Sequence, residues 1–267
     1  MKNTEKNYTF NDLLEIMKVL RGENGCPWDR AQDHQSIKYA LLEEACEAME
    51  SLDKKEPDNF ADELGDVLLQ VVFHSQIAAE NGTFTIDDVL YHICNKLITR
   101  HTHIFGDDKT NNSAEALDVW EANKKAEKGL KTQTEIMRDV CSYLPQLIRA
   151  EKVQKKAAKV GFDWDNIDGA YDKLKEEIDE VKSAKTVKEL EEEFGDLLFS
   201  CVNVARFLKI NPEEALKKAT DKFINRFEKI ENLALAEGKE LENMTLEEMD
   251  VLWEKAKQSL HQNSRFR

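Results

Sequence analysis

"ELGDVLLQVVFH" occupies residues 63–74 and "EFGDLLFSCVNV" occupies 193–204. Both open on acid–apolar–glycine–aspartate and run on into an apolar stretch with helical periodicity. Working outward, other landmarks fall into the same register. "GCPWD" (25–29) answers "GFDWD" (161–165), and "EEACE" (43–47) answers "EEIDE" (176–180). "KLITR" (96–100) answers "KFINR" (222–226), and "WEANK" (120–124) answers "WEKAK" (253–257). All four tryptophans belong to this scheme, two in each half. The chain therefore reads as a tandem repeat, with halves at 8–126 and 140–260 joined through the polar "KKAEKGLKTQTE".

The fold class predicted is all-α. Four prolines and ten glycines in 267 residues are few for a loop-rich β protein, and no stretch alternates with period two. Each half is expected to hold four or five helices. Thr9-x-x-Asp12, Thr85-x-x-Asp88 and Thr245-x-x-Glu248 resemble N-terminal capping signals. "NPEE" (211–214) puts asparagine at an N-cap and proline at the first helical position, where its missing N–H costs nothing. "DKKEPDN" (53–59) and "SAKTVK" (183–188) interrupt the pattern as turns, so the two acidic helices of each half should form antiparallel hairpins.

Residues three or four apart share a helix face. Glu43, Glu44 and Glu47 can point one way, and Glu63 and Asp66 answer from the next helix. There Leu64, Val67, Leu68, Val71 and Val72 form an apolar stripe. Phe194, Leu197, Leu198, Cys201 and Val202 repeat it beside Glu193 and Asp196. Each hairpin should gather four carboxylates, an arrangement that raises their pKa values unless a cation binds. An all-oxygen donor set suits Mg²⁺, or Mn²⁺. Solvated acidic faces are common, but the paired motif recurs with a glycine in the same slot. Gly65 and Gly195 each cost about 1 kcal/mol relative to alanine in a helix interior, so something is expected to approach the backbone there, a packed helix being the plain explanation. A di-iron site would want Glu-x-x-His, which no histidine completes. His101 and His103 lack supporting zinc ligands, and no Gly-rich phosphate loop is present.

A formal charge of −15 argues against a nucleic-acid or anionic-membrane partner. The polar start and short apolar runs give no leader or membrane span. Five cysteines without a CxxC pair fit reduced thiols in a cytoplasm. Against that background, Lys222 and Arg226 on one helix face could hold phosphate oxygens, and Trp253 with Lys257 could offer a flat surface and a charge.

"GCPWDRAQDHQSIKYALLEEACEAME" (25–50), "DELGDVLLQVVFH" (62–74), "RHTHIFGD" (100–107) and "EKVQKKAAKVGFDWD" (151–165) closely resemble the MazG family of nucleoside triphosphate pyrophosphohydrolases. The resemblance spans nearly the whole chain. It implies two MazG-type helical repeats, usually in a homodimer, that with Mg²⁺ hydrolyse NTPs and dNTPs to the monophosphate and pyrophosphate, a house-cleaning of nucleotide pools. The family's metal-binding, catalytic acids map to Glu177, Glu180, Glu193 and Asp196, and in the first half to Glu44, Glu47, Glu63 and Asp66. Its substrate contacts map to Lys173, Lys222, Arg226 and Trp253. Glu189 stands where relatives can carry a basic residue. The carboxylates would hold metal against the α- and β-phosphates and activate a water, with lysine and arginine meeting the leaving group's charge. Another class of function keeps the same fold as a non-enzymatic nucleotide-binding or dimerising regulator. A narrower enzyme for dUTP, dCTP or a modified nucleotide also stays open. The second half is the expected principal site: it has Lys173 and Lys175 where the first has Ala40 and Leu42, although Lys96, Arg100 and Trp120 keep much of the constellation in the first half.

Overall fold

The computed structural model describes residues 8–263, and among these every regular element is helical. The chain divides into two compact units between Glu127 and Lys128. The first unit holds α1 (Phe10–Arg21), α2 (Pro27–Ala31), α3 (Ala40–Lys54), α4 (Pro57–Glu80), α5 (Ile86–Arg100), α6 (Thr102–Phe105) and α7 (Ser113–Glu127). The second holds α8 (Gln133–Arg138), α9 (Gln146–Ala158), α10 (Ile167–Ser183), α11 (Val187–Phe207), α12 (Pro212–Ala236) and α13 (Leu246–Asn263). A single 3₁₀ turn, Leu241–Asn243, precedes α13.

Helix starts follow local chemistry. Thr9 with Asp12 and Thr85 with Asp88 form reciprocal capping boxes. Thr245 and Glu248 exchange the same two hydrogen bonds. Asn211 accepts from the backbone N–H groups of Glu213 and Glu214 ahead of Pro212. Thr186 and Glu189 make a further box at α11, which was not anticipated. It gives Glu189 its reason: the carboxylate accepts from the Lys185 and Thr186 N–H groups at 2.8 and 3.1 Å, satisfying donors the helix leaves open.

The predicted hairpins are the most extensively packed helix pairs of their units, α3 on α4 and α10 on α11. Lys55 turns the first with a left-handed backbone, φ 60°. Beneath α4, the first core gathers Met17, Ile37, Val72, Phe73 and Ile77, with Phe10, Leu13, Leu14 and Leu69 against it. In the second unit Ile230, Ala234 and Leu252 lock α12 to α13, with Leu233, Leu241, Met244 and Trp253 around them. Loops are pinned to the helices by arginine. Arg206 reaches Asp163 with two hydrogen bonds, 2.7 and 2.5 Å, tying the "GFDWD" stretch to α11. Gly169 leaves room for Trp164, whose indole lies where a Cβ would stand.

Two expectations need correction. The apolar stripes beside the acids are only partly covered: Val72 and Val202 are buried, but Leu64, Leu68, Phe194, Leu198 and Cys201 are exposed. Hydrophobic pattern places a residue on a face, yet whether that face meets anything depends on the next layer, and here it stops short. Nor, among the described residues, does any other helix come within van der Waals contact of a side chain at Gly65 or Gly195. A Cβ built at either would meet nothing within 4 Å. Tight packing inside the chain is not what those glycines serve.

Candidate metal and nucleotide site

In the second unit, Glu177 and Glu180 project from α10 toward Glu193 on α11, and the three offer carboxylate oxygens within 4.8 Å of one another. Glu177 is deeply buried, and its Oε2 has no hydrogen-bond partner. A buried carboxylate oxygen left open is costly unless a cation completes it. Burial, then Glu180 and Glu177, hold the Glu193 carboxyl above the usual carboxylate range, with Asp196 adding to the effect. Asp196 itself is exposed and stands at the edge of the group of three.

The first unit repeats this with a different third member. Glu44, Glu63 and Asp66 come within the same 4.8 Å, while Glu47 lies outside that group, near enough to raise Glu63. Burial first, then Asp66, raises Glu44. In each hairpin three acids come within 4.8 Å of one another, and the fourth, close enough to act on a neighbour's ionisation, lies toward solvent. Hard oxygen donors without nitrogen or sulfur match Mg²⁺ or Mn²⁺. The orphaned Glu177 oxygen is the structural sign that the second group fits such an ion.

Lys173 does not reach into open space. Its Nζ lies 2.6 Å from Glu177 Oε1, 2.7 Å from Glu176 Oε1 and 3.9 Å from Glu180 Oε2. Hydrogen bonds to Glu176 and Glu177 push its pKa upward. Lys222, Arg226, Trp253 and Lys257 sit on the other helix pair, α12 and α13. There the Arg226 guanidinium lies 5.6 Å from the Trp253 ring centre, its Nε buried and without a partner. Phe223 backs the same indole at 5.3 Å. Lys222 is exposed, and Lys257 pairs with Glu254 at 2.7 Å. Among the described residues no hydrogen bond or ion pair joins these groups to the carboxylates.

The profile of the MazG nucleotide pyrophosphohydrolase domain matches residues 32–105 and 169–231, covering both acid hairpins and the helices that follow them. A nucleoside triphosphate pyrophosphohydrolase/pyrophosphatase MazG of Thermotoga maritima is 49% identical over 95% of this chain and 97% of its own length. The chain belongs to the MazG family.

Other MazG relatives include the nucleoside triphosphate pyrophosphohydrolase of Escherichia coli K12, 43% identical over 92% of this chain and 95% of its own. The Bacillus subtilis protein YabN is 47% identical over 94% of this chain, which spans 52% of YabN. Set on the MazG framework, three features escape sequence reasoning. Buried Gln70 donates to Glu44 at 3.5 Å, and its own Oε1 is unpartnered. His34 and His74 stack at 5.2 Å and share a hydrogen bond between their Nδ1 atoms at 2.8 Å. Glu127 clamps Arg100. Gln70 could have been found, lying one turn beyond Asp66 on α4, but the histidine pair and Glu127 depend on tertiary contacts with no local signature. His101 and His103 join no carboxylate or thiol cluster among the described residues.

Proposed function

We propose that this MazG protein hydrolyses nucleoside and deoxynucleoside triphosphates between the α- and β-phosphates, releasing pyrophosphate and the monophosphate, with Mg²⁺ or Mn²⁺ as cofactor. The observation that carries the reading is the buried, half-unsatisfied Glu177 within its group of oxygen donors. Family membership supports the reaction class. Glu177, Glu180 and Glu193 would hold the metal, with Asp196 at the rim, and Glu44, Glu47, Glu63 and Asp66 would form the corresponding first-half set. Mg²⁺ supplies positive charge against the phosphates and activates water. The chain's own part is to orient the triphosphate. The unpartnered Arg226 Nε offers a donor to a phosphate oxygen, Trp253 a flat surface for the base, and Lys222 and Lys257 further charge. One carboxylate serves as proton acceptor for the attacking water.

We read the halves as homologous repeats over 8–126 and 140–260, the second being the principal site, and the assembly as a homodimer in the cytoplasm. The uncovered stripes support association. Leu198 and Phe199 line a groove of about 410 Å³ between α9 and α11, onto which Gly195 opens. Among the described residues no helix is long and apolar enough to cross a membrane. The decisive experiment incubates the protein with mixed NTPs and Mg²⁺ and identifies the products. Pyrophosphate and NMP are expected. NDP with orthophosphate as main products would move the cleavage site, and tight nucleotide binding without turnover would make the protein a regulator instead.

A further inference from the structure

Lys173 supplies one ammonium to a group of three acids. Its Nζ touches Glu177, whose side chain is 3% exposed, and lies 3.9 Å from Glu180, so it sits on both α10 members of the cluster. As a helix staple the pair is poorly arranged. Lysine four residues before glutamate is the less favourable order along a helix. The contact makes more sense as charge compensation, because burying Glu177 ionised and alone would be expensive. The first unit compensates differently. Its aligned residue is Ala40, and Glu44 receives only the neutral Gln70 amide.

We propose, resting on the function argued above, that Lys173 is the resident cation of the second carboxylate cluster. It holds Glu177 and Glu180 in the nucleotide-free protein and passes to a phosphate oxygen when metal and nucleotide enter together. Lys173 holds Oε1 of Glu177 and leaves Oε2 open, so a divalent ion entering alone shares that carboxylate with the ammonium and meets its like charge at close range. That repulsion opposes metal binding alone and draws the ammonium off the acids. A triphosphate relieves it, since its oxygens give the ammonium a new partner. Metal and nucleotide binding to the second half are thereby linked, and linkage is reciprocal. The first half, with no ammonium in its cluster, takes metal without waiting for nucleotide. Lys173 is a positioning residue as well as a substrate contact, and it keeps the second site from holding metal idle.

The test measures Mn²⁺ binding to the full chain without nucleotide, by calorimetry and by the electron paramagnetic signal of free Mn²⁺. A Glu63→Gln background silences the first cluster, leaving the second to report. Lys173→Met in that background should bind Mn²⁺ about tenfold more tightly, equivalent to one lost competing contact of ~1.4 kcal/mol. A non-hydrolysable α,β-methylene NTP should tighten Mn²⁺ binding strongly with Lys173 present and far less without it. The reciprocal variant, Ala40→Lys in a Glu193→Gln background, should weaken Mn²⁺ at the first cluster by a similar factor. It decides the matter should Lys173→Met not fold. Unchanged or weaker Mn²⁺ affinity in Lys173→Met, or unchanged affinity in Ala40→Lys, overturns the proposal. Pyrophosphate release plays no part in these measurements, so a failure of the hydrolase reading would register separately.

Discussion

Arg100 and Glu127 are joined by two hydrogen bonds, Nε to Oε2 at 2.7 Å and Nη2 to Oε1 at 3.1 Å, with the guanidinium 5.2 Å from the Trp120 ring centre. The counterpart in the second half, Arg226 on Trp253, has its Nε buried and unpartnered. One arginine is closed by a carboxylate from its own chain. The other keeps a buried Nε with no hydrogen-bond partner.

Substitution should separate these two roles. Arg226→Ala is expected to raise KM for NTPs tenfold or more while leaving thermal stability close to wild type, because its Nε gives up no intramolecular hydrogen bond. Arg100→Ala should lower stability by about 2 kcal/mol, Glu127 being partly solvated and so spared the full cost of a broken buried pair. It should leave KM little changed. Steady-state kinetics and chemical denaturation of both variants check this, and the reverse pattern would show that the first half carries the phosphate receptor.

Glu193→Gln should lose most Mg²⁺-dependent pyrophosphate release, by about a hundredfold or more, while Glu63→Gln retains much of it. The metal-free Glu193→Gln protein should also melt at or above the wild-type temperature. The sign follows from the raised Glu193 pKa, which means that ionisation is less favourable in the folded protein than in the unfolded chain. That penalty is absent well below the ordinary value of 4.5 and grows as pH rises through and above it, so the variant's advantage should open over that range. Melting curves without metal between pH 4 and 8 test it; a variant that melts lower throughout rules the relation out.

The Asp163–Arg206 pair predicts the opposite pH trend. Arg206 holds the Asp163 carboxyl below its ordinary value of 3.8, so the pair's stabilisation is full above that pH and is lost as pH falls through the depressed folded value. Asp163→Asn should cost about 1–2 kcal/mol near neutrality, given a partly exposed pair with two hydrogen bonds. The gap to wild type should close in acid below 3.8. Urea denaturation at two pH values is sufficient, and a gap independent of pH would contradict the assignment.

Gly195→Ala places a methyl group where, among the described residues, nothing beyond its own helix backbone and chain neighbours lies within 4 Å. By helix propensity alone it should stabilise the folded chain by up to about 1 kcal/mol. If the glycine serves a second copy at the α9–α11 groove, the same change should weaken association. Denaturation at low protein concentration, set against light scattering over a dilution series, reads the two effects apart. A variant that is both more stable and equally associated would remove the groove from the interface.

Much of this was legible in residue types and spacing. Period and caps located the helices, since Thr9, Thr85, Asn211 and Thr245 act within one turn of their own positions. Repeated acids identified both hairpins because helix and turn lengths alone bring Glu177 opposite Glu193. What spacing could not supply was the partner of each charge. Lys173 was expected to await phosphate and instead binds the acids, and Glu127 gave no sign of reaching Arg100, which lies on another helix. Coverage was equally illegible: the stripe that buries Val202 leaves Phe194 and Leu198 bare, which depends on how far the next layer extends.

Trp164 resting over Gly169 gives the molecule a built-in optical signal. The indole touches the first turn of α10, one turn ahead of Lys173 on the helix that also carries Glu177 and Glu180. A shift of that turn changes how much of the ring meets solvent, and with it the wavelength of its emission. The aligned Trp28, 63% exposed on a different helix, starts out largely wetted and has less to gain. Should the second half take metal and nucleotide as proposed, their arrival is expected to register in the emission of Trp164, itself 41% exposed, in a variant that keeps that tryptophan alone.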